Sequence, residues 1–302
     1  MNRPLRMAVI GTGHLGRHHA RNLSNMANVE LVGISDPDRE RGLAAAELSG
    51  ATWFADPSEL PEDLDAVSIA APTPLHHDLA EKYLRRGIHC LVEKPMTATS
   101  AQAVSLCRIA EESGCVLQVG HIERFNPVLD GLTRPLPRPL QLDGWRLAPH
   151  SGRSTDTSVV FDLMIHDIDL ALWFANSKVD RVEARGGVLI GPLPDWAVCR
   201  LTFESGTQAN LTASRIAPTV ERRMILHLND GTLDIDFGKR ALGTFGPGGV
   251  ATFQGSEDEP LRRELEHFVA RVRAGERPLV SWDEGRLSVE IASEVLYQLA
   301  KT

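Results

Sequence analysis

A glycine pattern near the front of the chain restricts its fold more than any other feature. Residues 11–16 read Gly-Thr-Gly-His-Leu-Gly, directly after the apolar run Met7-Ala8-Val9-Ile10 and leading into a helical stretch, His14 to Met26. In a strand–turn–helix unit the first glycine makes the tight turn, the second lets backbone approach a pyrophosphate, and the third lets helix pack on strand. Gly11, Gly13 and Gly16 stand at those places, and the helix N-terminus offers free N–H groups to phosphate oxygens. A second apolar run, Val29 to Ile34, ends in Ser35-Asp36, about 20 residues past Gly16. An acid there accepts from a ribose 2′-hydroxyl and repels a 2′-phosphate. The pattern predicts a dinucleotide site with NAD favoured, and NADP as the alternative. Arg39 bears on that choice: it is read either as a solvated residue starting the next helix or as a group reaching a 2′-phosphate.

At 302 residues the chain has room for two domains of ordinary size. Its net charge of -8, with no Lys/Arg run, argues against a nucleic-acid or anionic-membrane partner. No apolar stretch has transmembrane length. Met1 to Arg6 lead straight into the first strand without a signal peptide, so a cytoplasmic location is expected. The four cysteines, Cys90, Cys107, Cys115 and Cys199, show no CxxC and no metal-ligand spacing. They read as reduced core residues, and no metal site is expected.

Apolar strands at 7–10, 29–35, 51–54, 66–70, 88–92 and 116–119 alternate with helical patterns, clearest at 75–86 and 100–113. That alternation predicts a doubly wound parallel sheet, a Rossmann domain over residues 1–122. The Pro-rich Thr133–Pro139 stretch reads as a bridging loop near the domain boundary. Residues 123–302 read as an α+β domain with an open, mostly antiparallel sheet. It has a helix at 158–175, strands at 179–190, 196–204, 207–214, 222–229 and 232–236, and closing helices at 260–274 and 283–300. A sheet with one face free of helices needs a cover, so a homodimer or homotetramer through that sheet is expected.

In open parallel sheets ligands meet the carboxyl ends of the strands. Three such ends carry polar segments: Ala71-Pro72-Thr73-Pro74-Leu75-His76, Glu93-Lys94-Pro95, and Gly120-His121-Ile122-Glu123-Arg124-Phe125-Asn126-Pro127. A fourth segment, Asp162-Leu163-Met164-Ile165-His166, places an acid and a histidine four apart on one helix face. Taken alone, this helix reads either as a catalytic face, histidine being suited to take a hydroxyl proton near neutral pH, or as polar residues (Asp162, His166, Asp167, Asp169) at a domain interface or metal cluster. His18, His19 and His77 read as helix-surface residues.

Together these segments resemble the Gfo/Idh/MocA family of sugar dehydrogenases. The likeness rests on Glu-Lys-Pro at 93–95, Ala-Pro-Thr-x-Leu-His at 71–76, Arg-Phe-x-Pro at 124–127 and Asp-x-x-x-His at 162–166, and runs on to the closing helix at Glu264–Val269. It implies an NAD(P)-dependent oxidoreductase taking hydride from a sugar hydroxyl. In that reading Lys94 lies beside the nicotinamide and donates to the substrate hydroxyl, His166 is the general base, and Asp162 orients both. A cis bond before Pro95 is expected. The cofactor site then comprises Gly11, Gly13, His14, Leu15, Gly16, Asp36, Pro37, Ala71, Pro72, Thr73, His76, Glu93 and Lys94. Arg124, Phe125, Asn126, Asp162, His166 and Arg215 are the residues expected at the substrate.

A finer likeness, through 120–127, 159–169 and Leu211-Thr212-Ala213-Ser214-Arg215, points to a subgroup that oxidises the 3-hydroxyl of UDP-N-acetylglucosamine. Arg124 and Arg215 would supply charge for its diphosphate, or else bridge the domains as structural residues. The alternatives are a dehydrogenase of a free polyol or monosaccharide such as myo-inositol or glucose, and a non-catalytic NAD-binding regulator.

Overall fold

Six short segments, largely buried on both faces, form the first sheet, as parallel strands covered by helices must. They are β1 (Leu5–Ile10), β2 (Val29–Ser35), β3 (Thr52–Phe54), β4 (Ala66–Ile69), β5 (His89–Glu93) and β6 (Leu117–Gly120). All pair in parallel, in the order β3-β2-β1-β4-β5-β6, so the winding reverses between β1 and β4. The intervening helices are α1 (Gly16–Ser24), α2 (Arg39–Ser49), α3 (His76–Leu84) and α4 (Ser100–Ser113). Side-chain caps start two of them: Asp38 accepts from the Arg41 N–H and Thr99 from the Gln102 N–H. The computed structural model describes residues 3–133, 135–150 and 157–301.

The second sheet has eight strands: β7 (Gln141–Leu147), β8 (Val179–Gly187), β9 (Trp196–Phe203), β10 (Gln208–Ser214), β11 (Glu221–Leu228), β12 (Gly231–Asp236), β13 (Ala241–Gly246) and β14 (Gly249–Gln254). Their order is β14-β13-β12-β11-β7-β10-β9-β8, antiparallel except for the β7–β10 pair. Helix α5 (Ile165–Ala175) packs Ile165, Ile168, Ala171 and Phe174 into one core with Leu142, Leu201, Leu211, Met224 and Leu226. The other sheet face alternates outward, leaving Trp196 and Val198 exposed. The Pro-rich stretch is irregular at its described residues, Arg134 lying outside them. No described helix is long and apolar enough to cross a membrane.

Two helices close the chain, α6 (Pro260–Ala274) and α7 (Trp282–Leu299). The apolar stripe of α6, Leu261, Leu265, Phe268, Val269 and Val272, lies in one core with Leu5, Met7, Val9, Ala20 and Leu23. Helix α6 therefore belongs with the first sheet. The boundary expected after residue 122 gives way to two discontinuous units, Met1–Phe125 with Glu259–Arg286, and Asn126–Asp258 with Leu287–Thr302. Helical periodicity shows that a late helix has an apolar face, not which sheet that face covers.

If α6 completes the first unit, Phe268→Ala leaves a cavity beneath β1 and destabilises that unit by about 3–5 kcal/mol. Denaturant unfolding of the variant measures this; an unchanged midpoint would detach α6 from the first core.

Candidate active site

The turn after β1 is built on close backbone contact. Gly11 has φ +87°, and a Cβ on Gly16 would sit 1.9 Å from the Gly11 carbonyl oxygen. Any side chain at Gly16 would push α1 away from the strand. A Cβ on Gly13, by contrast, would meet nothing within 4 Å. Among the described residues, the N–H groups of Gly13, His14 and Leu15 have no backbone acceptor. His14 and Leu15 are exposed there. Such a cradle of free donors at a helix N-terminus fits a pyrophosphate.

Asp36 stands at the end of β2, as expected for the ribose-facing acid, and it is already heavily engaged. One carboxylate oxygen accepts from the Thr12 N–H and hydroxyl, both at 2.7 Å. The other accepts from the Asp38 N–H at 2.8 Å and from Arg41 at 3.1 Å. Burial pushes this carboxyl's pKa up, but the donors outweigh it and hold the group below the usual range. Arg41, which sequence reading passed over, is the exposed donor of the four. Arg39 lies over the Trp53 ring instead. Pro37 is exposed beside Asp36.

The ends of β4 and β5 are tied together by His76. Its ring nitrogens face the Pro95 carbonyl at 2.8 Å and the Ala71 carbonyl at 2.7 Å. Burial lowers its pKa, and the hydrogen bonds to the two carbonyls offset this only in part. His76 thus braces the loop carrying Pro72 and Thr73 against the Lys94-Pro95 turn, where the peptide bond is cis. Glu93 is buried and accepts from His19 at 2.9 Å and, more weakly, from the Lys94 N–H at 3.3 Å. The other ring nitrogen of His19 meets the Ser68 hydroxyl at 2.7 Å. His19 is wholly buried, which overturns its expected place on the helix surface: α1 turns this residue toward β4 and β5. Lys94 itself is partly exposed at the strand end. His121, Glu123 and Arg124 are buried after β6, and Phe125 packs on the His267 ring.

In the second unit, residues Val160–Met164 form a π-helical turn that runs into α5. Such turns recur at functional sites. Asp162 and His166 lie one turn apart and partly exposed, while Met164, Ile165 and Asp167–Ala171 are buried. Arg215 is buried, donates to the Thr157 carbonyl at 2.6 Å and lies 3.9 Å from the Asp162 carboxylate. Asp167 is held by Arg146 across 2.8 Å, both buried. Asn126 caps the next turn, accepting from the Val128 N–H and donating to the Phe237 carbonyl.

Residues 5–121 match the model of an oxidoreductase family with an NAD-binding Rossmann fold, and residues 132–234 match the GFO/IDH/MocA C-terminal domain. The chain belongs to the Gfo/Idh/MocA oxidoreductase family. It is 34% identical to UDP-N-acetylglucosamine 3-dehydrogenase of Acidithiobacillus ferrooxidans over 97% of this chain and 99% of that protein. A solved structure of that enzyme superposes with a TM-score of 0.94, covering 99% of this chain and 98% of that one at 33% identity. The scyllo-inositol 2-dehydrogenase (NAD(+)) of Bacillus subtilis is 29% identical over 96% of this chain and 93% of its own length. As in its family, the first unit is an NAD-binding Rossmann unit, and the free donors of residues 13–15 with the charged Asp36 suit that cofactor.

Asp36→Ala is expected to weaken NADH binding at least about tenfold, or 1.4 kcal/mol, and to narrow the preference over NADPH. Fluorescence titration with both nucleotides measures each effect. Equal loss for both would remove Asp36 from the discrimination.

Proposed function

We propose that this oxidoreductase acts on UDP-N-acetylglucosamine, taking the hydride from C3 and the proton from the 3-hydroxyl to leave a 3-keto sugar nucleotide. The observation that carries this reading is the likeness, along nearly the whole chain, to the enzyme of that name. NAD, when bound, accepts the hydride. His166 removes the hydroxyl proton, a role that histidine fills at neutral pH. Asp162 orients the imidazole and the sugar hydroxyl. Lys94 donates to the same oxygen, easing loss of its proton. Ala71, Pro72, Thr73, His76 and Glu93 shape the nicotinamide end of the cofactor site. A ribose hydroxyl reaches Asp36 by replacing the exposed Arg41 donor. Arg215, which donates to the Thr157 carbonyl and lies near Asp162, and Arg124 are the candidates for the diphosphate.

The likeness to the inositol enzyme supports a second reading, oxidation of a free polyol. Absorbance of reduced nicotinamide separates the two when the protein and NAD meet UDP-N-acetylglucosamine, UDP-glucose, scyllo-inositol, myo-inositol and glucose in turn. The proposal expects turnover with UDP-N-acetylglucosamine; turnover with polyols alone would replace it. Lys94→Ala and His166→Ala are each expected to lower kcat about 10²–10⁴-fold while NADH still binds. Full turnover in either variant would remove that residue from the chemistry.

The exposed outer face of the eight-stranded sheet supports assembly as a homodimer or homotetramer. Light scattering of the purified protein is expected to give two or four times the 33.1 kDa chain mass, and Trp196→Glu with Val198→Glu to lower it. A monomeric parent would end that reading.

A further inference from the structure

Within the first unit, Glu264 of α6 is fully buried, and neither oxygen of its carboxyl has a hydrogen-bond partner among the described residues. The charge that acts on it is Glu93. The Gln118 side-chain oxygen on β6 is buried and unpartnered too, while the nitrogen of the same amide donates to the Glu264 backbone carbonyl at 3.2 Å. These orphaned groups are all acceptors if Glu264 is ionised. One proton on Glu264 converts it into the donor that the cluster lacks. The Glu93 carboxyl lies against Gly120, where an added Cβ would sit 2.8 Å from it, two residues from Gln118 and so on the same face of β6. Two carboxylates buried on one face would otherwise both carry charge, which proteins avoid by keeping a proton.

We propose that Glu264 is a positioning residue that keeps its proton at neutral pH and donates it to the Glu93 side of the cluster, thereby holding the Glu93-Lys94 turn. Glu93 remains the ionised partner, since it already accepts from His19 and from the Lys94 N–H. Burial works against that ionised state, and the His19 hydrogen bond and charge overcome it to hold Glu93 below its usual range. Burial pushes Glu264 the opposite way, well above it. The titratable groups facing the pair from the other packed elements are His19 of α1, His76 of α3 and Lys94 after β5. Ser68 of β4 closes the chain through His19.

The sign of the pH effect follows from linkage. In the unfolded chain Glu264 ionises near the ordinary value, about 4.3, while in the folded chain it stays protonated to higher pH. Stability is thus lost progressively as pH rises above the unfolded value, until the folded group ionises. Glu264→Gln keeps a neutral donor and has no such dependence.

The test compares the full-length parent with Glu264→Gln and Glu264→Leu, in saturating NAD. Its first readout is the infrared band of a buried protonated carboxyl at pH 7, expected in the parent and missing from Glu264→Gln. The second is the unfolding midpoint between pH 5 and pH 8, where Glu264→Gln is expected to gain on the parent by at least about 2 °C as pH rises. Neither readout needs a substrate, so failure of the proposed reaction leaves both intact. With the substrate found to turn over, Glu264→Leu is expected to lower kcat at least about tenfold with KM for NAD unchanged, and Glu264→Gln to restore it. Absence of the band with a pH-independent midpoint difference would show Glu264 ionised and overturn the proposal. Equal kcat in parent and Glu264→Leu would overturn the positioning role.

Discussion

The hydrogen bond from His19 to Glu93 joins α1, the helix after the glycine turn, to β5, the strand that leads into Lys94. Both partners are buried, so neither can exchange the bond for one with water, and breaking it would strand a charge inside the unit. Through Ser68 the same histidine reaches β4, and through His76 the end of β4 reaches the turn after β5. Helix α1, β4 and β5 therefore cannot shift independently. The cradle at residues 13–15 and the lysine at 94 keep a fixed spacing because polar groups beneath them are satisfied only in one arrangement.

The second unit solves a similar problem with different parts. Its partly exposed acid and histidine sit on a largely buried helical segment, which charged side chains from the sheet hold in addition to its apolar contacts. Arg146 reaches up from β7 to Asp167, and Arg215 from the end of β10 to the carbonyl of Thr157. These charge-assisted bonds bracket the π-turn on both sides of Asp162. Arg215, a phosphate candidate by sequence, also makes contacts that hold this helical segment.

Much of the architecture was legible because its signals are local. The Gly11–Gly16 turn, the strand alternation to residue 120, and helices 100–113 and 260–274 all follow from periodicity and caps. Asp36 is found just after β2, Lys94 just after β5, and Asp162 and His166 one turn apart, at the positions their sequence patterns indicated. Strand β7 was missed because its inward positions are Leu142, Gly144 and Arg146, one of them a charge whose partner, Asp167, lies on another element. Helix α2 was anticipated to start at Arg39 but its extent was not legible, for want of an apolar stripe, its buried residues being Gly42, Ala45 and Ala46. Strand β14 is exposed along its whole length and has no buried alternation to read. His19, Arg41 and Glu264 escaped for a shared reason: each matters through a partner distant in the chain or a carboxylate whose surroundings the sequence does not spell out.

The return of α6 to the first core has a consequence during synthesis. The NAD-binding unit needs residues up to Arg286, and the second unit needs the chain's final segment from Leu287 onward. As the polypeptide leaves the ribosome, neither unit can finish before the other is nearly complete. The apolar surface of Leu5, Met7 and Ala20 waits uncovered until Leu265 and Phe268 arrive. Long-range closure of this kind slows folding and prolongs exposure of apolar surface in the nascent chain.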